Sequence, residues 1–380
     1  MNGQIKPRAL VIGGSLGGLF AATALRGSGW DVSVFERSPN DLDSRGGGIV
    51  LQPEVVAAIN NAGIQRSGAL GVLSRDRVYL DREGVVLHAT RMPQTQTSWN
   101  TLYANLIKGV PEEDYHRGEK LVAFEQVGQH VVARFESGRE EEGDLLIGAD
   151  GGESTVRSIL LPDLRPDYAG YVVWRGLVPE AELPKFAADQ LVDKFVFQHD
   201  SESLMLQYLV PGATGSTNVG ERRFNWLWYL KAESGPVLDD LLTDRNGVRR
   251  ANSVPPGLLA PTQEAYLRAM AEKQANPAFR ELVRSTKQIF VQAIMDLGVP
   301  KMVFGRVILL GDAAFVPRPH TAGSTAKAAA NALALGAALR AAPRDIDAAL
   351  MAWEDDQLVA GQHMSDWGVR TGDKLMAITA

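Results

Sequence analysis

The first 36 residues constrain the fold more than any other stretch. Ala9–Ile12 is a short apolar run, and Gly13-Gly14-Ser15-Leu16-Gly17-Gly18 follows it without a break. The pattern predicts a strand, a small-residue helix over Leu16–Arg26 stopped at Gly29, and a second strand over Asp31–Phe35. A glycine turn between strand and helix lets backbone N–H groups and the helix N-terminus face a pyrophosphate. Glu36 closes the second strand 23 residues after Gly13, near the ~20 expected for a carboxylate that takes a ribose hydroxyl. The middle glycine of G-x-G-x-x-G is replaced by Ser15, which is small and can donate a hydrogen bond. Gly13, Ser15, Leu16, Gly18, Glu36 and Arg37 are therefore candidate dinucleotide contacts.

The same stretch imitates a secretory signal, because Lys6 and Arg8 precede the apolar run Ala9–Leu25. Five glycines between Gly13 and Gly27, and no clear cleavage site, favour strand, turn and helix instead. No stretch reaches the ~18 uninterrupted apolar residues of a membrane span, so a cytoplasmic, soluble protein is expected. With 45% hydrophobic residues in 380, the chain can bury the cores of two domains. A net charge of −6 with scattered Lys and Arg argues against nucleic acid as a partner. The absence of cysteine excludes disulfides, thiolate metal sites and cysteine nucleophiles; no metal is expected.

Further along, His130–Phe135 alternates as an antiparallel strand does, and Asp144–Ala149 reads as a buried strand ending at Asp150-Gly151. Val307–Leu310 repeats that plan, ending at Gly311-Asp312 before an Ala-rich stretch that should be helical to about Arg340. Phe195–His199, Leu204–Leu209 and Phe224–Leu230 look like strands of a separate sheet. In Trp226-Leu227-Trp228-Tyr229 the alternation suits a strand with one buried aromatic face. Nucleotide-type segments at the start, middle and end imply a discontinuous cofactor domain (residues 1–70, 99–172 and 286–345). Residues 71–98 and 173–285 would form the substrate domain, and 346–380 a C-terminal helical segment.

Two of these segments carry a family resemblance. Gly148-Ala149-Asp150-Gly151-Gly152-Glu153-Ser154-Thr155-Val156-Arg157 matches G-A-D-G-x-x-S-x-V-R, and Gly305-Arg306-Val307-Ile308-Leu309-Leu310-Gly311-Asp312-Ala313-Ala314 matches G-R-V-x-L-x-G-D-A-A. In this order, after a dinucleotide-type opening, the chain resembles the class A, single-component FAD-dependent aromatic hydroxylases over nearly its whole length. Tyr168-Ala169-Gly170-Tyr171, Trp174-Arg175-Gly176, Gly48-Ile49-Val50 and Pro317-Arg318-Pro319-His320 bring the resemblance nearest to members acting on dihydroxylated pyridines. The resemblance implies an α/β fold: a Rossmann-like FAD domain with a substrate domain on a mostly antiparallel sheet, as in p-hydroxybenzoate hydroxylase-like proteins.

It also implies bound FAD, NADH or NADPH as cosubstrate with the choice open, and O2 activated as a flavin C4a-hydroperoxide that hydroxylates a small electron-rich aromatic ring. Asp312 would accept a hydrogen bond from the ribityl chain, and the helix after it would aim its positive end at the flavin. Asp150 would lie where FAD and the nicotinamide nucleotide are managed. Arg45 and Gly46-Gly47-Gly48 would form the loop beside the ribityl and ring, and Val122 joins the cofactor set. The chain departs from the family pattern at Phe315, at Ala322-Gly323-Ser324 and at Asn331-Ala332. Gly323 and Ser324 nonetheless remain candidates for the flavin's pyrimidine edge.

For the reacting ring, His320 is the first candidate base, since neutral imidazole accepts a proton near neutral pH. Tyr208 and Tyr229 are candidates to orient the ring or relay a proton. Arg175 can meet an anionic substrate, Pro319 shapes the wall, and Trp174 lines the pocket or fills core. Two other readings stand beside hydroxylation: another oxygenation on the same fold (epoxidation or a urate-type hydroxylation), or a flavoprotein that binds FAD and ligand without monooxygenation. A homodimer is left open.

Overall fold

The computed structural model describes residues 6–42, 47–64 and 68–378. The three motif segments become neighbours in one parallel sheet. Arg8–Ile12 pairs with Asp31–Glu36 on one side and with Leu145–Gly148 on the other, and Leu145–Gly148 pairs with Val307–Leu309. Tyr115–Arg117 adds a further parallel strand beyond Asp31–Glu36, and only Val303–Phe304 at the far edge runs antiparallel. Leu145–Gly148 and Val307–Leu309 are buried along their whole length, as expected of parallel strands covered on both faces. The helix Leu16–Arg26 covers the sheet and packs against the Ala-rich helix Ser324–Ala341. The two approach so closely that a Cβ on Gly336 would stand 3.1 Å from Ala24 O.

A second, larger sheet runs Ser253–Val254, Phe290–Gly298, Asp167–Pro179, Arg223–Lys231, Ser203–Val210, Lys194–Asp200, Val72–Leu80, Val86–Ser98 and Gly48–Val50. Its pairings are antiparallel except that between Lys194–Asp200 and Val72–Leu80. The strand alternation sorts its aromatic residues by face. Trp174, Trp226 and Trp228 enter one core with the helices Pro261–Gln274 and Pro277–Ser285, while Val173, Leu227 and Tyr229 face the other way. Two of these indole N–H groups are paired: Trp226 Nε1 donates to Thr286 Oγ1 at 2.8 Å and Trp228 Nε1 to Ser203 Oγ at 2.7 Å. Trp174 thus fills core. The strand expected over His130–Phe135 is the middle of a small antiparallel sheet with Leu121–Val127 and Glu140–Gly143. A long helix, Ile346–Leu375, closes the chain, and no helix among the described residues is long and apolar enough to cross a membrane.

Candidate active site

The glycine turn, Asp150 and Asp312 lie at the carboxyl ends of three adjacent parallel strands, the crevice where open α/β sheets bind ligands. Two of the glycines leave no room for a side chain. Gly13 has φ 104°, and a Cβ there would lie 2.5 Å from Ala149 O; at Gly18 it would meet Gly13 O at 1.8 Å. Ser15 is the N-cap of Leu16–Arg26, yet its side chain makes no capping bond, so its hydroxyl and the first-turn N–H groups remain for a ligand. Gly13, Ser15, Leu16, Glu36, Arg37, Asp150 and Asp312 line one cleft of about 350 Å³. The buried Glu36 carboxylate accepts from Gly14 N and Ser38 N, each at 2.8 Å, which fixes it while leaving lone pairs for a sugar hydroxyl. A side-chain-free turn, a helix N-terminus and a fixed carboxylate together fit the pyrophosphate and ribose of FAD.

Asp150 does structural work as well. Its carboxylate takes Ser154 Oγ, Thr155 N at 2.7 Å and Val156 N at 3.2 Å, closing the N-terminus of Thr155–Leu160. Burial pushes its carboxyl group's pKa upward against those bonds. Arg157, on that helix, donates to Ala313 O at 3.0 Å and to Gly152 O, and so ties the two motif turns together. Asp312 is held by two groups, Ser324, a candidate flavin contact from the sequence, and Lys327, which sequence reasoning left unnoticed. Ser324 Oγ donates to its Oδ1 at 2.6 Å, and Lys327 Nζ lies 3.0 Å from the same oxygen. Lys327 is buried, and desolvation lowers its pKa. A signal for it exists: it is the one charged residue between Gly323 and Arg340.

Some expectations change. Val122 turns its side chain to solvent, 48% exposed, and Leu121, on the opposite face of the same strand, lines the cleft. The helix expected directly after Asp312 starts at Ser324, because Gly311–Ala313 and Pro319–Thr321 form single tight turns first. Gly323 already gives its N–H to Thr321 Oγ1 at 3.1 Å, so the free donors belong to the helix's first turn. Arg45 and Gly46 lie outside the described residues.

Trp99, Ser324 and Thr325 line this cleft and also a second cavity, of about 280 Å³, on the larger sheet. No sequence signal marked Trp99 for that junction. Arg175, Tyr208 and Tyr229 project into the second cavity from three strands, with Gly48, Leu206 and Pro319 around them. Arg175 makes no ion pair among the described residues; its Nε is buried without a partner and its guanidinium lies 5.5 Å from the Phe290 ring centre. Burial pushes the Tyr208 phenol up to about 12 and the Tyr229 phenol higher still, while the Arg175 charge opposes both shifts. Both phenols therefore stay protonated in neutral solution and act as donors. Asn225, which the sequence gave no reason to single out, fixes the rim by accepting from Gly48 N at 2.9 Å.

His320 does not line this cavity. It lies behind the wall, its Nε2 3.0 Å from Tyr171 Oη and its ring 4.6 Å from that of Tyr229. Desolvation, reinforced by the Arg318 charge, lowers its pKa to about 4. Arg318 in turn binds Asp296 at 2.7 Å and Asp373 at 2.7 Å, fastening the Pro317–Pro319 wall to the sheet and to the last helix. His320 is thus a neutral imidazole packed against the Tyr171 and Tyr229 rings, outside the lining of this cavity.

Known proteins resemble this chain over most of its length. Residues 168–296 match a family model described as FAD binding domain-like. The chain is 37% identical to 2,6-dihydroxypyridine 3-monooxygenase of Paenarthrobacter nicotinovorans, over 93% of this chain and 88% of that protein. It is 28% identical to 6-hydroxynicotinate 3-monooxygenase of Pseudomonas fluorescens, over 85% and 80%. The solved structure of 2,6-dihydroxypyridine-3-hydroxylase from Arthrobacter nicotinovorans superimposes with a TM-score of 0.91 at 35% identity, covering 98% of this chain and 93% of that one.

Proposed function

The chain belongs to the FAD-dependent aromatic monooxygenases, and from that premise we propose that the ring it hydroxylates is a small, acidic hydroxylated pyridine bound as its anion. FAD and NAD(P)H are its cofactor and cosubstrate. The observation that carries the choice of ring is Arg175, half-buried and without an ion pair among the described residues, its Nε buried without a partner, lining the same cavity as the two protonated phenols Tyr208 and Tyr229. A guanidinium without a carboxylate partner keeps its charge-assisted donors available to a ligand that supplies the negative charge. The relative named for 2,6-dihydroxypyridine matches over nearly the full length of both chains and supports the same ring class.

Gly13, Ser15, Glu36 and Asp312 would hold FAD, which when bound supplies hydride acceptance from NAD(P)H and the activation of O2. Arg175 draws the ring's hydroxyl toward its ionised form, and ionisation makes the ring electron-rich enough to be oxygenated. Tyr208 and Tyr229 donate hydrogen bonds to the resulting oxygen and fix the ring's angle at the Trp99–Ser324 junction. No side chain here is needed as a base, since charge stabilisation lowers the substrate's own pKa. The cavity's apolar remainder, with Leu206, Leu227 and Phe195, limits water that would otherwise divert the oxidant.

The test is a panel of hydroxypyridines and hydroxybenzoates, scored for faster NAD(P)H oxidation and for a product heavier by one oxygen atom. A dihydroxypyridine is expected to give both. Hydrogen peroxide as the only product across the panel would sink the proposal.

A further inference from the structure

The first turn of Ser324–Ala341 carries a feature that the chemistry above does not use. Lys327 is buried, with a side chain 3% exposed, and its ammonium group meets Asp312 Oδ1 at 3.0 Å and Phe315 O. Ser324 Oγ binds the same Asp312 oxygen. Asp312 itself is 41% exposed and lines the cofactor cleft, so the pair spans the boundary between core and cleft.

The electrostatics of this placement follow from its parts. The N-terminus of an 18-residue helix carries a partial positive charge, which favours an anion nearby. A bare carboxylate at Asp312 would cancel that charge at the place where Ser324 and Thr325 meet both cavities. Lys327 neutralises the carboxylate from beneath, and the helix end is left unopposed toward the cleft. Reduction of FAD by NAD(P)H transfers one hydride, two electrons with their proton; the nicotinamide leaves oxidised, and the bound cofactor gains one negative charge. A positive cleft therefore binds reduced FAD more tightly than oxidised FAD.

We propose that Lys327 is a positioning residue that acts through Asp312 to set the reduction potential of the bound FAD. The inference rests on the family's cofactor and not on which ring is oxidised, and its test needs no aromatic substrate. Flavin absorbance of the purified wild type comes first and checks the cofactor reading by itself.

Potentials are then measured by dye-coupled reductive titration for the wild type, Lys327→Met, Asp312→Asn and the double variant. Lys327→Met leaves the carboxylate uncompensated. The preference for reduced over oxidised FAD should fall at least tenfold, a drop of about 30 mV for a two-electron couple. Asp312→Asn leaves the cation uncompensated, and the potential should rise. The double variant carries neither charge and should return most of the way to wild type. If Lys327→Met cannot be obtained with FAD, the rise in Asp312→Asn and its reversal in the double variant test the same claim. A potential unchanged in Lys327→Met, a fall in Asp312→Asn, or a double variant displaced as far as a single one would overturn it, because a purely structural lysine does not move the potential with the sign of the charge removed.

Discussion

The cleft that would hold FAD and the cavity proposed for the ring share Trp99, Ser324 and Thr325, yet they are built on opposite plans. In the cleft the polar side chains are tied down before any ligand arrives: Glu36 by two backbone N–H groups, Asp150 by the start of a helix, Asp312 by Ser324 and Lys327. In the cavity they are left free, with Arg175 unpaired and Tyr208 and Tyr229 without hydrogen-bond partners among the described residues. A site for a resident cofactor is rigid in advance; a site for a passing substrate keeps its charge and donors unspent.

The sharpest way to break this contrast is to remove a tied group from the cleft. Asp312→Ala deletes the carboxylate that neutralises a buried ammonium group; because Asp312 is itself 41% exposed, the cost lies below the roughly 3–5 kcal/mol of a fully buried pair. FAD content of the purified variant should fall at least tenfold, with a lower unfolding temperature. Full flavin occupancy would show that the cleft does not depend on its prearranged charges.

Removing the free group from the cavity should act elsewhere. Arg175→Met keeps the stem and deletes the charge, and a lost charge-assisted hydrogen bond is worth about 1.5–3 kcal/mol. We expect kcat/KM for the aromatic substrate to fall about 10- to 100-fold with FAD content unchanged. The remaining activity should rise with pH as the ring ionises in solution. Loss of FAD along with activity would show that the two sites are not separable.

This difference in construction also decided what the sequence revealed. The cleft is made by backbone turns at strand ends, so its parts are contiguous motifs: Gly13–Gly18, Gly148–Arg157 and Gly305–Ala314 could each be read in place. The sorting of Trp226 and Trp228 from Leu227 and Tyr229 was legible for a similar reason, since strand alternation is local. The cavity is made by single side chains from strands far apart in sequence, and nothing local told Arg175 from an ion-paired arginine. The surroundings of His320 were hidden in the same way. Its ring packs against those of Tyr171 and Tyr229, contacts set by packing between the Pro-rich turn and two strands far earlier in the chain.

His320 gives a prediction of smaller size. Its pKa is about 4 in the folded protein against an ordinary value of 6.5, so the unfolded chain binds the proton first as pH falls. The stability it contributes is present above pH 6.5 and is lost as the pH drops toward 4. The full effect is on the order of 3 kcal/mol at most. His320→Gln lacks this titration. The gap in unfolding temperature between wild type and His320→Gln should therefore narrow between pH 7 and pH 4. A gap that stays constant would mean that the imidazole is solvated rather than walled in.

The smallest effect sits where cleft and cavity join. Ala322, one of the positions where the chain departs from the family pattern, has φ 51° and ψ 18°, in the left-handed region, and Gln52 Nε2 donates to its carbonyl at 2.6 Å. An alanine there costs about 1 kcal/mol relative to glycine, while glycine gives back part of that through the greater freedom of the unfolded chain. The methyl group is exposed, so its removal loses little packing. Ala322→Gly should raise the unfolding temperature by a degree or two at most. Ala322→Val, whose branched side chain resists this conformation, should lower it by several degrees. Thermal unfolding of the pair checks both signs together. A fall in both variants would mean that the turn before Ser324 is not left-handed in solution, and the first-turn donors at the junction would then be aimed by something other than this strained residue.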